Sequence, residues 1–221
     1  MTARSELAGC GVQGAALSFG GTTGIRSAIT ESFNGSVWVA EENLNTARSG
    51  LSGCGIQLAA LSFGGTSTGL LATTEKFNGS SWTATGSLNA PKKYLAGCGL
   101  QNAAIAFGGT STGYVSITET FDGSTWSCGG DLIIARGSLA GCGIQNAALS
   151  YGGLSSTGLL AITEKFNGGF WSLSYDLGVS RKNLAGCGKQ QSALSFGGYI
   201  SSSSSITEKF IDAKFDIVYR K

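Results

Sequence analysis

Apolar and polar positions along this chain alternate in short runs, and the runs recur. "AALSF" at 15–19 runs into Gly-Gly, and close copies of it begin at 59, 103, 147 and 192. In "ITEKF" at 162–166, Ile162, Glu164 and Phe166 share one parity while Thr163 and Lys165 take the other. That two-residue period belongs to a strand, and no segment carries the 3.6-residue apolar stripe of a helix. The pattern predicts four short strands per unit. Strand A is "LAGCG", strand B is "AALSF", strand C is "ITEKF" and strand D begins at a Trp, as in "SWTAT". Between C and D sits "FNG" or "FDG". Asn-Gly and Asp-Gly are favoured centres of two-residue hairpins because both residues accept positive φ, so a turn of that kind is expected there.

The units have a fixed period. Cys10, Cys54, Cys98, Cys142 and Cys187 are spaced 44, 44, 44 and 45 residues apart, and the Gly-Gly pairs at 20, 64, 108, 152 and 197 keep step. The one-residue insertion falls between Gly153 and Thr163. Four-stranded units at a period of ~40–50 residues are the sequence signature of a β-propeller. The expected architecture is therefore all-β, a five-bladed propeller forming a single domain over 1–221. Its blades lie at about 4–47, 48–91, 92–135, 136–180 and 181–221.

The order of landmarks resembles the kelch repeat: Arg, a small-residue strand, an apolar strand ending in Gly-Gly, an acidic residue in strand C, then Trp. Its carriers are Arg4, Arg48, Arg136 and Arg181 (with Lys92 at the second-to-third junction), the five Gly-Gly pairs, and Trp38, Trp82, Trp126 and Trp171, with Phe215 in the fifth place. The period is short for kelch, and the Asn-Gly turn departs from it. The wording "AGCGxQxAALSFGG…TExFNGxxW" is similar to kelch-like repeats in predicted tail or virion-associated proteins of environmental bacteriophages. That resemblance implies a structural or docking role on a particle.

Composition narrows the partners. Charged residues make up 13% of the chain and the net charge is +2, so neither a nucleic-acid-binding face nor an anionic membrane surface is implied. No apolar run approaches the ~20 residues that span a bilayer, so membrane insertion is not expected. The start, "MTARSELAGCG", enters the repeat at once and reads as lacking a secretion signal. The expected location is the virion, or the cytoplasm of the producing cell before assembly.

Candidate chemistry is weighed against the repeat. "GCGVQG" at 9–14 matches a dinucleotide loop formally, but a strand and a turn follow where a helix is required. Five cysteines share one repeat position and the chain has no His, which reads as small-residue packing rather than a metal or disulfide framework. Glu31, Glu75, Glu119, Glu164 and Glu208 occupy equivalent environments, whereas a glycosidase needs two unlike carboxylates. They read as structural partners of the Arg/Lys series. The series Gln13, Gln57, Gln101, Gln145 and Gln190 reads as turn or inter-blade hydrogen-bonders. Without His there is no Ser-His-Asp triad. No enzyme, cofactor or metal is expected.

The remaining signal is variation. A–B and C–D turns should share one rim and stay alike, whereas the B–C and D–A loops on the other rim diverge. That division marks the second rim as the recognition surface, with Arg26, Lys93, Tyr94, Tyr114 and Tyr199 as candidate contacts. The adjacent pairs Leu70–Leu71 and Leu159–Leu160 point to a protein contact. The expected function is a non-enzymatic interaction module that meets other virion or tail proteins or a host-surface receptor. The alternative is a lectin-like five-bladed propeller binding glycans. Each blade is expected to come whole from one repeat, so blades 1 and 5 should hold by side-chain packing, and the divergent fifth unit is expected to form a specialised seam.

Overall fold

The computed structural model describes residues 2–211 and 214–219. The described residues contain strands but no helix, and they form a five-bladed β-propeller. Blade 1 is β1 (Ala8–Val12), β2 (Ala15–Phe19), β3 (Thr30–Phe33) and β4 (Trp38–Glu41). Blade 2 is β5 (Ser52–Ile56), β6 (Ala59–Phe63), β7 (Thr74–Phe77) and β8 (Trp82–Thr85). Blade 3 is β9 (Ala96–Leu100), β10 (Ala103–Phe107), β11 (Thr118–Phe121) and β12 (Trp126–Cys128). Blade 4 is β13 (Ala140–Ile144), β14 (Ala147–Tyr151), β17 (Thr163–Phe166) and β18 (Trp171–Leu173), with the insertion forming a small ladder of β15 (Leu154–Ser155) and β16 (Gly158–Leu159). Blade 5 is β19 (Ala185–Lys189), β20 (Ser192–Phe196), β21 (Thr207–Ile211) and β22 (Lys214–Tyr219).

Each sheet is antiparallel in chain order, so every blade comes from one repeat. The first strands line the axis, β1 beside β5, then β9, β13 and β19. The C–D turn differs from the expected hairpin. Phe33 pairs with Trp38, so four residues form the loop, and Gly35 rather than Asn34 takes the positive φ. The Asn34 Oδ1 accepts the N–H groups of Ser36 and Val37 at 3.0 and 3.1 Å, and this local bonding holds it in an ordinary backbone conformation. Asn78, Asp122 and Asn167 do the same in blades 2, 3 and 4.

The core lies between blades. Phe19 of β2 enters the space over Gly53 of β5 and meets the Trp82 ring edge-on at 5.0 Å. Phe63 does so over Gly97 against Trp126, and Phe107 over Gly141 against Trp171. A Cβ on any of these glycines would overlap the incoming ring, so the close approach requires glycine. Four apolar clusters result, joining blades 1–2, 2–3, 3–4 and 4–5.

The expected packing of blade 5 on blade 1 is absent. Among the described residues no apolar cluster, ring contact, hydrogen bond or ion pair joins them. Phe196 is 40% exposed and Leu194 37%, whereas Phe19, Phe63, Phe107 and Tyr151 are 0% exposed. The propeller therefore has an open seam. Phe215, singled out for replacing the Trp, lies in β22, whose register pairs it with Phe210.

Candidate functional site

The two repeated charged series meet inside every blade. Arg4 pairs with Glu31 at 2.7 Å, Arg48 with Glu75, Lys92 with Glu119 at 3.0 Å, Arg136 with Glu164 at 2.5 Å and Arg181 with Glu208. Each carboxylate also accepts a backbone N–H from the segment entering its blade: Thr2, Asn45, Asn89, Ile133 and Gly178 at 2.6–2.8 Å. Burial pushes the Glu31 carboxyl up, but the Thr2 N–H and the Arg4 guanidinium outweigh it and hold the group below its ordinary range. Burial lowers the Arg48, Lys92 and Arg136 cations, and their carboxylate partners oppose that. Cation, carboxylate and backbone amide thus complete one another, a clamp that ties each connecting loop to its blade.

Trp82, Trp126 and Trp171 are buried between blades, and each Nε1–H donates to a threonine of the preceding blade: Thr30, Thr74 and Thr118, at 2.9–3.0 Å. Trp38 is half-buried at the seam. The glutamine series is inter-blade. Nε2 of Gln57, Gln101, Gln145 and Gln190 donates to two carbonyls of the preceding blade, as in Gln57 to Ala16 and Phe33 at 3.2 and 2.7 Å. The six cysteines are free, and burial pushes the Cys10 and Cys142 thiols up to about 12, far from nucleophilic thiolate at neutral pH. Among the described residues no group of three or more His, Cys, Asp or Glu is arranged to hold a metal ion.

One space open to a ligand lies on the axis. A funnel of about 580 Å³ has Leu7, Leu51, Leu95, Leu139 and Leu184 in its wall. Its mouth is a ring of Glu6, Gly50, Tyr94, Ser138 and Asn183, all at φ between 53 and 61°. For the four residues that are not glycine this left-handed backbone carries a cost, and hydrogen bonds maintain it. Gly50 N–H donates to Glu6 C=O, Tyr94 to Gly50, Ser138 to Tyr94 and Asn183 to Ser138, at 2.7–3.0 Å. Tyr94 Oη donates to the Glu6 carboxylate at 3.1 Å, and Lys93 Nζ stands 4.9 Å from the Tyr94 ring centre. Burial raises the Tyr94 phenol, Glu6 adds to that, and the Arg26 charge opposes it.

The bridges Ser5–Thr22, Ser49–Thr66, Lys93–Thr110, Gly137–Leu154 and Lys182–Tyr199 bring the D–A and B–C loops onto this same rim. Of the predicted contacts, Lys93 and Tyr94 meet at the funnel mouth, with the charge of exposed Arg26 acting on Tyr94. Tyr114 and Tyr199 stand on the loops of blades 3 and 5 and do not line the funnel; Lys182 Nζ caps Tyr199 at 5.5 Å. Leu70, Leu71, Leu159 and Leu160 are all half-buried. Sequence reasoning missed Glu6, Ser138 and Asn183. Their signal was the residue before each "LxGCG", where Glu, Gly, Tyr, Ser and Asn stand at the head of the most constant segment.

No protein-family model matches this chain, and no curated protein is significantly similar to it. The fold fits a protein-interaction module.

Proposed function

We propose that this chain is a kelch-like, non-enzymatic interaction module of a virion or phage tail. It seats a particle protein or a host-surface receptor on the B–C/D–A rim around the funnel. One observation carries the reading: the buried clamp is repeated nearly unchanged, while side-chain identity varies at the mouth of the funnel and in the loops around it. Scaffold is held constant where packing demands it, and diversity is placed where a partner would touch. The basic and aromatic pair Lys93–Tyr94 is the anchor of that surface. A lectin with one site per blade needs an aromatic on each binding loop, and the repeated Trp is instead turned into the blade interfaces.

The test is mass spectrometry of purified particles, combined with cross-linking from Lys93 and Lys182. The chain in the particle, with cross-links from those lysines to one partner, supports the reading. Absence from particles, or cross-links confined to the opposite rim, overturns it. Binding of a simple sugar at several sites per chain replaces it with the lectin.

A further inference from the structure

We propose that the open seam is a head-to-tail interface between copies of this chain, in which blade 5 of one copy packs against blade 1 of the next. The faces on either side of the seam are the two halves of an interface that the chain already makes four times. On the leading face of each later blade, a glycine admits the neighbour's ring, a glutamine reaches its carbonyls, and in blades 2 to 4 a Trp meets that ring. Blade 1 carries the same set, Gly9, Gln13 and Trp38, without a neighbour. Only its own blade lies near a Cβ placed on Gly9, and among the described residues Gln13 and the Trp38 Nε1 make no inter-blade hydrogen bond. Blade 5 carries the complementary set. Leu194 and Phe196 stand exposed where their counterparts in blades 1 to 4 are buried, and the Ala193 carbonyl stands where Ala16, Ala60, Ala104 and Ala148 receive the glutamine.

The axial hydrogen bonds show the same unfinished step. Among the described residues, the series from Glu6 through Gly50, Tyr94 and Ser138 to Asn183 has no bond from Glu6 N–H to Asn183 C=O. The occupant that matches both faces is a second copy, because it brings this glycine, glutamine and Trp to this leucine and phenylalanine. Such contacts are heterologous: each copy keeps one unpaired face, so assembly continues until a ring closes or a filament forms.

Two variants block one face each without touching a buried group. Gln13→Glu places a carboxylate against the carbonyls of the incoming blade, and Phe196→Glu places one where the ring should enter. Both side chains are exposed in the single chain, so the fold should survive. Sedimentation velocity over a range of protein concentration is expected to show the wild type associating. Each variant alone should associate at least about thirtyfold more weakly, the loss expected when a charge is buried without a partner. Mixed in equal amounts, the two variants should form a capped 1:1 dimer, since one offers an intact blade 1 and the other an intact blade 5. A wild type that stays monomeric at all concentrations overturns the proposal, as does a mixture that does not pair. Association unaffected by either substitution overturns it equally.

Discussion

Replacing Lys92 by Met tests whether the clamp is a set of mutually dependent charges. Lys92 and Glu119 are both fully buried, and the Nζ sits 3.0 Å from Oε1. The other oxygen, Oε2, takes the Asn89 N–H and Nδ2–H at 2.6 and 2.8 Å, so Lys92 is the partner that Oε1 has among these bonds. Methionine fills much the same volume, so the cavity term is small and the change is electrostatic. Removing one member of a buried ion pair costs about 3–5 kcal/mol, because the remaining charge has lost both water and its counter-ion. The Ile117 carbonyl also loses a donor at 3.4 Å, which adds little at that distance. The assay is urea unfolding at pH 7 followed by Trp fluorescence, with the loss read as a lower midpoint at unchanged slope. The double variant Lys92→Met/Glu119→Gln should recover at least half of the loss, since the uncompensated charge is gone. A loss below about 1 kcal/mol for Lys92→Met would refute the reasoning. That size belongs to an exposed pair, and Glu119 would then have to be hydrated.

Three further outcomes follow from the geometry. The Glu31 carboxyl is held below its ordinary value of 4.5, so its contribution to stability is fully present above that pH and is lost as the pH falls through the lowered folded value. Arg4→Met should therefore move the acid-unfolding midpoint to higher pH by circular dichroism, and an unchanged midpoint would show that Arg4 does not hold the group. Gly141→Ala should cost about 1–3 kcal/mol because its Cβ meets the Phe107 ring, whereas Gly9→Ala at the open seam should cost clearly less in denaturant titrations of a monomeric sample. Equal losses at the two positions would mean the seam is packed. Among the described residues the buried Thr163 hydroxyl has no hydrogen-bond partner, while its counterpart Thr118 receives the Trp171 N–H, so Thr163→Val should be neutral or stabilising where Thr118→Val costs about 1–2 kcal/mol. Similar losses at both would contradict the pairing.

Much of the frame was legible because its rules are local and repeated five times. Strand parity placed Glu and Phe together in "ITEKF", and the same spacing that defined the Arg/Lys series also delivered each cation to its carboxylate. The Arg-to-Lys exception coincides with a change in strand B, while in blade 2, among the described residues, the Ser62 Oγ stays unpaired beside Arg48. In blades 1, 4 and 5 the Arg Nη2 also reaches a serine of strand B, Ser18, Ser150 or Ser195. Blade 3 has Lys92 and Ala106, a shorter-reaching cation beside a residue with no hydroxyl to meet. The C–D turn was misjudged because Asn-Gly reads as a two-residue hairpin, whereas the Asn side chain captures two N–H groups and widens the loop to four.

The amino-acid order alone determined the period, the strands, the charged series and the rim on which variation collects. Each of those depends on contacts within one repeat or between two consecutive ones, and those contacts are copied along the chain. Tertiary structure decided what depends on all five blades at once. The funnel gathers Glu6, Gly50, Tyr94, Ser138 and Asn183 from positions about 44 residues apart, which only the turn of the blades about the axis brings to one mouth. The seam is of the same kind. Whether blade 5 reaches blade 1 is set by the sum of four inter-blade rotations, and each is a packing angle that no single repeat encodes. Leu194 and Phe196 belong to the same apolar strand of the repeat as their four counterparts, yet they stand at the surface.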